Sequence, residues 1–384
     1  MPLTSLRGHA HARSRLAAAV SRGTLAQSIL LHGPAGIGKE RFGHWLAQCL
    51  VCEAPAPDSM PCAKCLSCRL VDRLEHPDVH WFFPLPRPDA SSPEKLRQKL
   101  EEERAAELML RRENPLHVPS YDRAPAHFLG SILNLQQIAA VRPAMGRRKV
   151  FVVGDAEAMV PQESSPEAAN AFLKLLEEPP DDTTIIITSA NPGALLPTII
   201  SRVFSVRLLP LETLEVEDFL RDVMELDAAA AAPIAAVAQG AIGRALRLAP
   251  TGAGPGALEI HRQAGRDLLR SALGRGAGRR LAVAHKQSPA GARGDFTAEL
   301  EALASWLRDL LAVASGANNQ VVNADATDDL AALVQKLEIR PLSVGASIDR
   351  VAVALDMAAG NVNPQLIIAD LLRGIQQDIR PAAS

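Results

Sequence analysis

The sequence predicts an α/β domain with a parallel sheet and a phosphate-binding loop, followed by helical domains. Three observations carry that expectation: a strand–glycine turn–helix unit around residue 33, a β-branched strand around residue 150, and Ala/Leu-rich helical segments beyond residue 257. The first unit says most. Ser28-Ile29-Leu30-Leu31-His32 reads as a short buried strand, and Phe42, Trp45, Leu46, Cys49 and Leu50 recur at the spacing of one helix face. Between them stands Gly33-Pro34-Ala35-Gly36-Ile37-Gly38-Lys39-Glu40. Glycines such as Gly33, Gly36 and Gly38 let backbone N–H groups turn inward to cradle phosphates. A lysine such as Lys39 reaches the β/γ oxygens, and a Ser or Thr hydroxyl normally holds Mg²⁺. Here Glu40 takes the hydroxyl position. A carboxylate there sets negative charge against phosphate, which predicts a phosphate-loop body with a damaged catalytic centre and leaves ATP binding doubtful.

The second strand, Lys149 to Val153 running on through Gly154 to Asp155, has the form that ends in a Mg²⁺-positioning acid. The next position, where a hydrolysing enzyme of this kind carries a water-activating Glu, is Ala156, and Glu157 should point elsewhere. Two losses in one reaction suggest that hydrolysis is not this chain's task. A helix follows, with Ser165 as cap, Pro166 in its first turn, a stripe of Ala169, Phe172, Leu173 and Leu176, and Pro179-Pro180 as its stop. Thr183–Ser189 reads as a further buried strand. Its tip, Ala190-Asn191-Pro192, fits either a γ-phosphate sensor or a plain turn. A short helix then runs from Leu195 to Arg202. Arg202 is either an ordinary helix-end cation or a finger that reaches a neighbouring subunit's phosphates.

Cys52, Cys62, Cys65 and Cys68 are spaced C-x9-C-x2-C-x2-C. Thiolates in such a knuckle can close on one tetrahedral Zn²⁺ at about 2.3 Å, and four protein ligands leave no open position, so a structural site is expected. An iron–sulfur cluster or a redox pair would use the same residues. Cys49 falls on the apolar face of the preceding helix and reads as core.

At 384 residues and 47% hydrophobic, the chain should fold as two or three domains. A net charge of −2 gives no global pull towards nucleic acid or membrane. No apolar run reaches the roughly 18 residues that span a bilayer. The N-terminal residues lack a signal-peptide core, and a cytoplasmic location with reduced cysteines is expected.

Taken together, these residues closely resemble the delta-prime family of bacterial DNA polymerase III clamp-loader subunits, of the AAA+ class. The loop, the knuckle, Val150–Asp155, the run Ala168-Ala169-Asn170-Ala171-Phe172-Leu173-Lys174-Leu175-Leu176-Glu177-Glu178-Pro179, and Leu196-Pro197-Thr198-Ile199-Ile200-Ser201-Arg202 carry the resemblance. It covers about residues 5–83 and 131–210. Gly240–Leu246 resembles the start of the family's lid helix, with Arg244 at its sensor 2 position, and Asn361–Leu366 resembles its last collar helix.

The resemblance implies three parts: an AAA+ α/β domain over 1–210 with the inserted zinc knuckle at 52–68, a helical lid over 211–252, and an all-α collar over 257–384. It implies a non-hydrolysing subunit whose Arg202 completes the ATP site of a neighbouring gamma/tau motor. Partners would be those motors and the delta subunit, with the sliding clamp and primed DNA reached through the assembly. The family's Ser-Arg-Cys motif reads Ser201-Arg202-Val203 here, so the Arg is kept and the Cys is not. The alternative is a hydrolysing gamma/tau-type motor, which would want a hydroxyl at position 40 and a Glu at 156. Residues 84–130 depart from the pattern as an insertion, with a capping box at Ser91 and Glu94 and a charge-alternating helix to Glu113 that reads as an exposed arm. Trp306, Leu307, Leu310 and Leu311 read as collar core. Gly274–Arg293 reads as a basic, mobile loop.

Overall fold

The computed structural model describes residues 5–54, 60–119, 121, 123–159, 167–252, 254–274, 276–288, 293–360 and 362–380. The chain divides into two compact units, Met1–Glu215 with Ala241–Gly243, and Val216–Gly240 with Arg244–Ser384.

The first unit runs α1 (Ala10–Ser21), β1 (Ser28–His32), α2 (Lys39–Val51), α3 (Leu66–Asp72), β2 (Val79–Phe82), α4 (Pro93–Glu113), α5 (Leu129–Ala139), β3 (Lys149–Val153), α6 (Glu167–Glu177), β4 (Thr183–Ser189), α7 (Pro197–Ile200) and β5 (Phe204–Arg207). Among the described residues its sheet has five strands, all parallel, in the order β2-β3-β4-β1-β5. Parallel sheets need cover on both faces, and their central strands therefore read as unbroken apolar runs. Ile29, Leu31, Val150, Val152 and Ile186 pack on one side with Phe42, Trp45 and Leu46 of α2. Leu30, Phe151, Val153, Ile185 and Ile187 pack on the other with Ile132 and Leu135 of α5 and Phe172 and Leu176 of α6. The expected P-loop α/β class therefore holds. The carboxyl ends of β1, β3 and β4 lie side by side, which is where such folds place ligands.

The inserted segment differs from the exposed arm that its charges suggested. Ser92, not Ser91, caps α4 by accepting the Lys95 N–H. Leu100, Glu107 and Arg111 of α4 are buried, α4 packs on α5, and Arg104 donates to the Trp81 carbonyl of β2. The reason is internal pairing: Arg111 Nε donates to Glu107 at 2.8 Å, and Arg104 binds Glu101. Paired charges can be buried where isolated ones cannot. Arg104 also lies over Phe82, and Arg112 donates to the Leu74 carbonyl, so α4 covers the sheet edge at β2. The expected cap at Ser165 and Pro166 lies outside the described residues.

The second unit takes in α8 (Thr213–Met224) from Val216 onward, α9 (Ala228–Ala238), α10 (Ile242–Leu248) from Arg244 onward, α11 (Ala257–Leu273), α12 (Ala277–Lys286), α13 (Arg293–Ala314), α14 (Thr327–Leu337), α15 (Pro341–Ala359) and α16 (Pro364–Ile379). Trp306, Leu307 and Leu310 are in its core with Leu268, Leu300 and Leu372, and the Trp306 indole donates to the Arg262 carbonyl at 2.8 Å. Buried Asp309 accepts from the N–H groups of Val322 and Asn323 and from the Asn323 side chain, which ties down the turn after α13. Much of the expected mobile loop at 274–293 is instead α12, whose Val283 and Ala284 pack on the core. Asn363 caps α16. Among the described residues no helix is long and apolar enough to cross a membrane.

Candidate functional site

The loop between β1 and α2 has the backbone its glycines predict. Gly33, Gly36 and Gly38 have φ of 153°, 80° and 92°, and Gly38 caps α2 in the left-handed region. A side chain at Gly33 would collide with the Leu208 carbonyl. Four of the loop's carbonyls are engaged within the chain. Lys39 Nζ donates to Gly33 O at 3.1 Å and Pro34 O at 3.0 Å. The Gly243 N–H donates to Gly36 O at 2.8 Å, and His9 Nε2 bonds Ile37 O at 3.0 Å. Lys39 is buried, and desolvation lowers its pKa against the charges of Asp155, Glu157 and Glu40.

Glu40 turns its carboxylate onto the backbone at Gly154, where any side chain would strike it. Its Oε2 lies 3.6 Å from a guanidinium nitrogen of Arg111. Burial, then the charge of Asp155, pushes Glu40 up to about 7, while Arg111 and Lys39 pull it down. A carboxyl raised in the folded state binds its proton more tightly there than in the unfolded chain. Its contribution to stability is then complete below about 4.5 and lost as pH rises through about 7. Relative to Glu40→Gln, the native chain is therefore expected to lose on the order of 3 kcal/mol between pH 4.5 and pH 7.5. Urea unfolding of both proteins across that range checks it, and a constant difference contradicts it.

Asp155 follows β3 with φ 44°, its N–H held by Thr188 Oγ1 of β4 at 3.0 Å. Ala156 is buried and offers no base. Glu157 Oε1 accepts the N–H of Ala190 at 2.8 Å and of Asn191 at 3.3 Å, so it pins the β4 tip. Asn191 also donates its N–H to Ser189 Oγ. The His127 ring closes the same corner: its Nε2 donates to Gly154 O at 2.7 Å, and burial lowers its pKa to about 4, which keeps it neutral. Arg244 belongs to the second unit, where Asp309, Arg308 and Arg262 are its charged neighbours.

Arg202 stands exposed just beyond α7. One guanidinium nitrogen donates to Thr198 O at 3.0 Å, and the other lies 2.7 Å from Glu177 Oε1 at the end of α6.

The four cysteines converge, their sulfurs within 4.8 Å of one another. Cys65 caps α3 by accepting the Cys68 N–H, Cys62 Sγ accepts the Cys65 N–H at 3.4 Å, and Cys52 Sγ accepts the Cys62 N–H at 3.5 Å. N–H groups of Lys64 and Cys65 lower the Cys62 thiol to about 6. The Cys62 and Cys68 sulfurs are 3.9 Å apart. Tetrahedral ligands about 2.3 Å from one ion sit about 3.8 Å from each other, so the set fits a single metal.

Sequence reasoning located the loop, the acid, the arginine and the cysteines, but it missed Arg111, His127, and the Gly243 and His9 contacts. A signal for Arg111 existed: Leu100, Arg104, Glu107 and Arg111 share one helix face.

The family model described as DNA polymerase III, delta subunit, matches residues 8–212, and that for its C-terminal part matches residues 282–377. A DNA polymerase III delta-prime subunit of Pseudomonas aeruginosa is 34% identical over 178 residues, 46% of this chain and 41% of the relative. The delta-prime subunit of Bacillus subtilis is 26% identical over 201 residues, 52% of this chain and 47% of the relative. The tau subunit of Escherichia coli is 26% identical over 262 residues, 67% of this chain and 34% of the relative. The chain thus matches less than half the length of each of these relatives. Because the first family model alone takes in more than half of the chain, the chain belongs to the DNA polymerase III delta-subunit family.

Proposed function

We propose that this chain is a non-hydrolysing, delta-prime-type subunit of a cytoplasmic clamp loader, a stator against which ATP-driven motors work. The carrying observation is Glu40: it holds a carboxylate where the metal-binding hydroxyl belongs, turned onto Gly154 and paired with Arg111. Residues at the other positions of the reaction agree with that reading. Lys39 is engaged by the loop's carbonyls, Ala156 carries no base, and Glu157 is engaged by backbone amides. The residues therefore do not fit a metal nucleotide in the ordinary way, and no hydrolytic step is assigned to Gly33, Gly36, Gly38, Lys39, Asp155 or Arg244.

Arg202 is the residue that acts on chemistry, in a neighbour's site. Its present partners are an exposed carboxylate and a carbonyl, and an exposed pair of this kind contributes roughly 0–1 kcal/mol, easily exchanged for a phosphate. The neighbours are gamma/tau-type motors and a delta subunit, and the assembly opens a sliding clamp and sets it on primed DNA. The knuckle holds a structural Zn²⁺. A cubane iron–sulfur cluster would spread its four thiolates wider than a single ion does.

The test is reconstitution with motor and delta subunits. Clamp loading on primed DNA is expected to require this chain, while a photoreactive ATP analogue labels the motors and not this chain. Undiminished loading without it, or equal labelling of it, contradicts the reading.

A further inference from the structure

The inserted helix reaches the phosphate loop. Arg111, near the end of α4, is only 9% exposed. Its guanidinium lies 4.2 Å from the Trp81 ring centre and 4.0 Å from that of Phe83. Its Nε donates to Glu107, whose same oxygen lies 3.3 Å from His117 Nε2. Its remaining end is turned to Glu40, at 3.6 Å, and Asp155 feels its charge after that of Lys39. Glu40 and Asp155 stand at the hydroxyl and acid positions that would flank Mg²⁺ in an intact loop. Two carboxylates in one partly buried site repel unless a cation lies beside them.

We propose that Arg111 is a built-in cation that takes the electrostatic place of Mg²⁺ beside Glu40 and Asp155, so that the inserted helix, and not a metal nucleotide, closes this phosphate loop. The inference rests on the non-hydrolysing reading and gives that reading a cause. An arginine suits the task because its flat, weakly hydrated cation stacks between aromatic faces while forking to carboxylates. The insertion is anchored on both sides of the site. Leu85 and Ala126 pair as an antiparallel bridge at its two ends, the His127 N–H donates to Ala158 O, and the His127 ring donates to Gly154 O. Glu40, Gly154 and Arg111 therefore form one contact set, contributed by the loop helix, the exit of β3 and the insertion.

Thermal unfolding of the isolated chain at pH 8, where Glu40 is ionised, provides the test. Arg111→Met is expected to lower the midpoint by roughly 5–10 °C, since it strands both Glu107 and Glu40. Millimolar Mg²⁺ should then raise the midpoint of Arg111→Met back towards the native value, because the freed carboxylates take up the metal. The native chain should not respond to Mg²⁺. The double variant Glu40→Gln/Arg111→Met should lose less than the sum of the single variants and should not respond either. A native-like midpoint for Arg111→Met, no response of it to Mg²⁺, or strictly additive losses would each overturn the proposal. If Arg111→Met cannot be recovered folded, the triple variant Glu40→Gln/Glu107→Gln/Arg111→Met decides: the proposal expects it folded and indifferent to Mg²⁺, and failure of that variant to fold overturns it. None of these readouts involves Arg202 or a partner subunit, so failure here leaves the stator reading to its own test.

Discussion

Replacing Arg202 by Ala is expected to cut ATP turnover at the adjoining motor's site by about 10³-fold or more, the usual worth of an arginine finger supplied in trans. Arg202 is exposed, and in its own unit it makes one ion pair with Glu177 and hydrogen bonds to Thr198 and Ser201 at the end of α7. Losing those contacts should shift the chain's own stability by less than about 1 kcal/mol. A local role thus predicts a small effect everywhere, whereas a finger predicts a native fold with a crippled neighbour. DNA-stimulated phosphate release from the reconstituted assembly separates the two, with thermal unfolding of the isolated variant as control. Arg202→Lys should recover little, because an ammonium cannot reproduce the fork of the guanidinium. Unchanged phosphate release with Arg202→Ala would remove the finger.

Stripping the proposed zinc from the knuckle is expected to have the second large effect. Structural zinc contributes folding free energy directly, with apparent values of about 10–16 kcal/mol in small zinc modules. Here the loss would spread, because Cys65 caps α3 and Cys68 lies in it, and α3 is tied to the loop helix. Gln48 of α2 donates to the Cys68 carbonyl at 3.0 Å, and Arg41 lies 3.6 Å from Asp72. Chelation, or Cys68→Ser, is therefore expected to lower the midpoint of the first unit by about 10 °C or more. Elemental analysis should find one zinc per chain, and the midpoint should fall as that zinc is lost. Iron in place of zinc, or a midpoint indifferent to chelation, would contradict the assignment.

The parts legible in the sequence were those where one physical rule acts alone. The strands β1, β3 and β4 are buried on both faces, so their composition reads as continuous apolar runs whatever their neighbours. The face of α2 is plain because Phe42, Leu46 and Cys49 bury fully while the loop before it must be glycine-rich. Four thiols at knuckle spacing carry their own geometry. The strands β2 and β5 were not legible: each has four residues, and β5 leaves Phe204 half exposed, so neither shows an alternation or a buried run. The segment 84–130 misled for a different reason. Charge alternation marks a solvated helix only if the charges face water, and in α4 Arg111 and Glu107 face each other and two aromatic rings. Which charges pair inward depends on a contact with Trp81 and Phe83 roughly thirty residues upstream, and no local pattern reports that.

The proposed function requires that this phosphate loop does not hydrolyse ATP. Its most direct test is the affinity of the purified chain for ATP with Mg²⁺, together with its turnover. The expected result is no turnover, binding too weak to saturate at millimolar nucleotide, and no change in either on Lys39→Ala. Clear turnover that Lys39→Ala abolishes would mean that Glu40 or Glu157 serves the chemistry after all, and the chain would then be a motor.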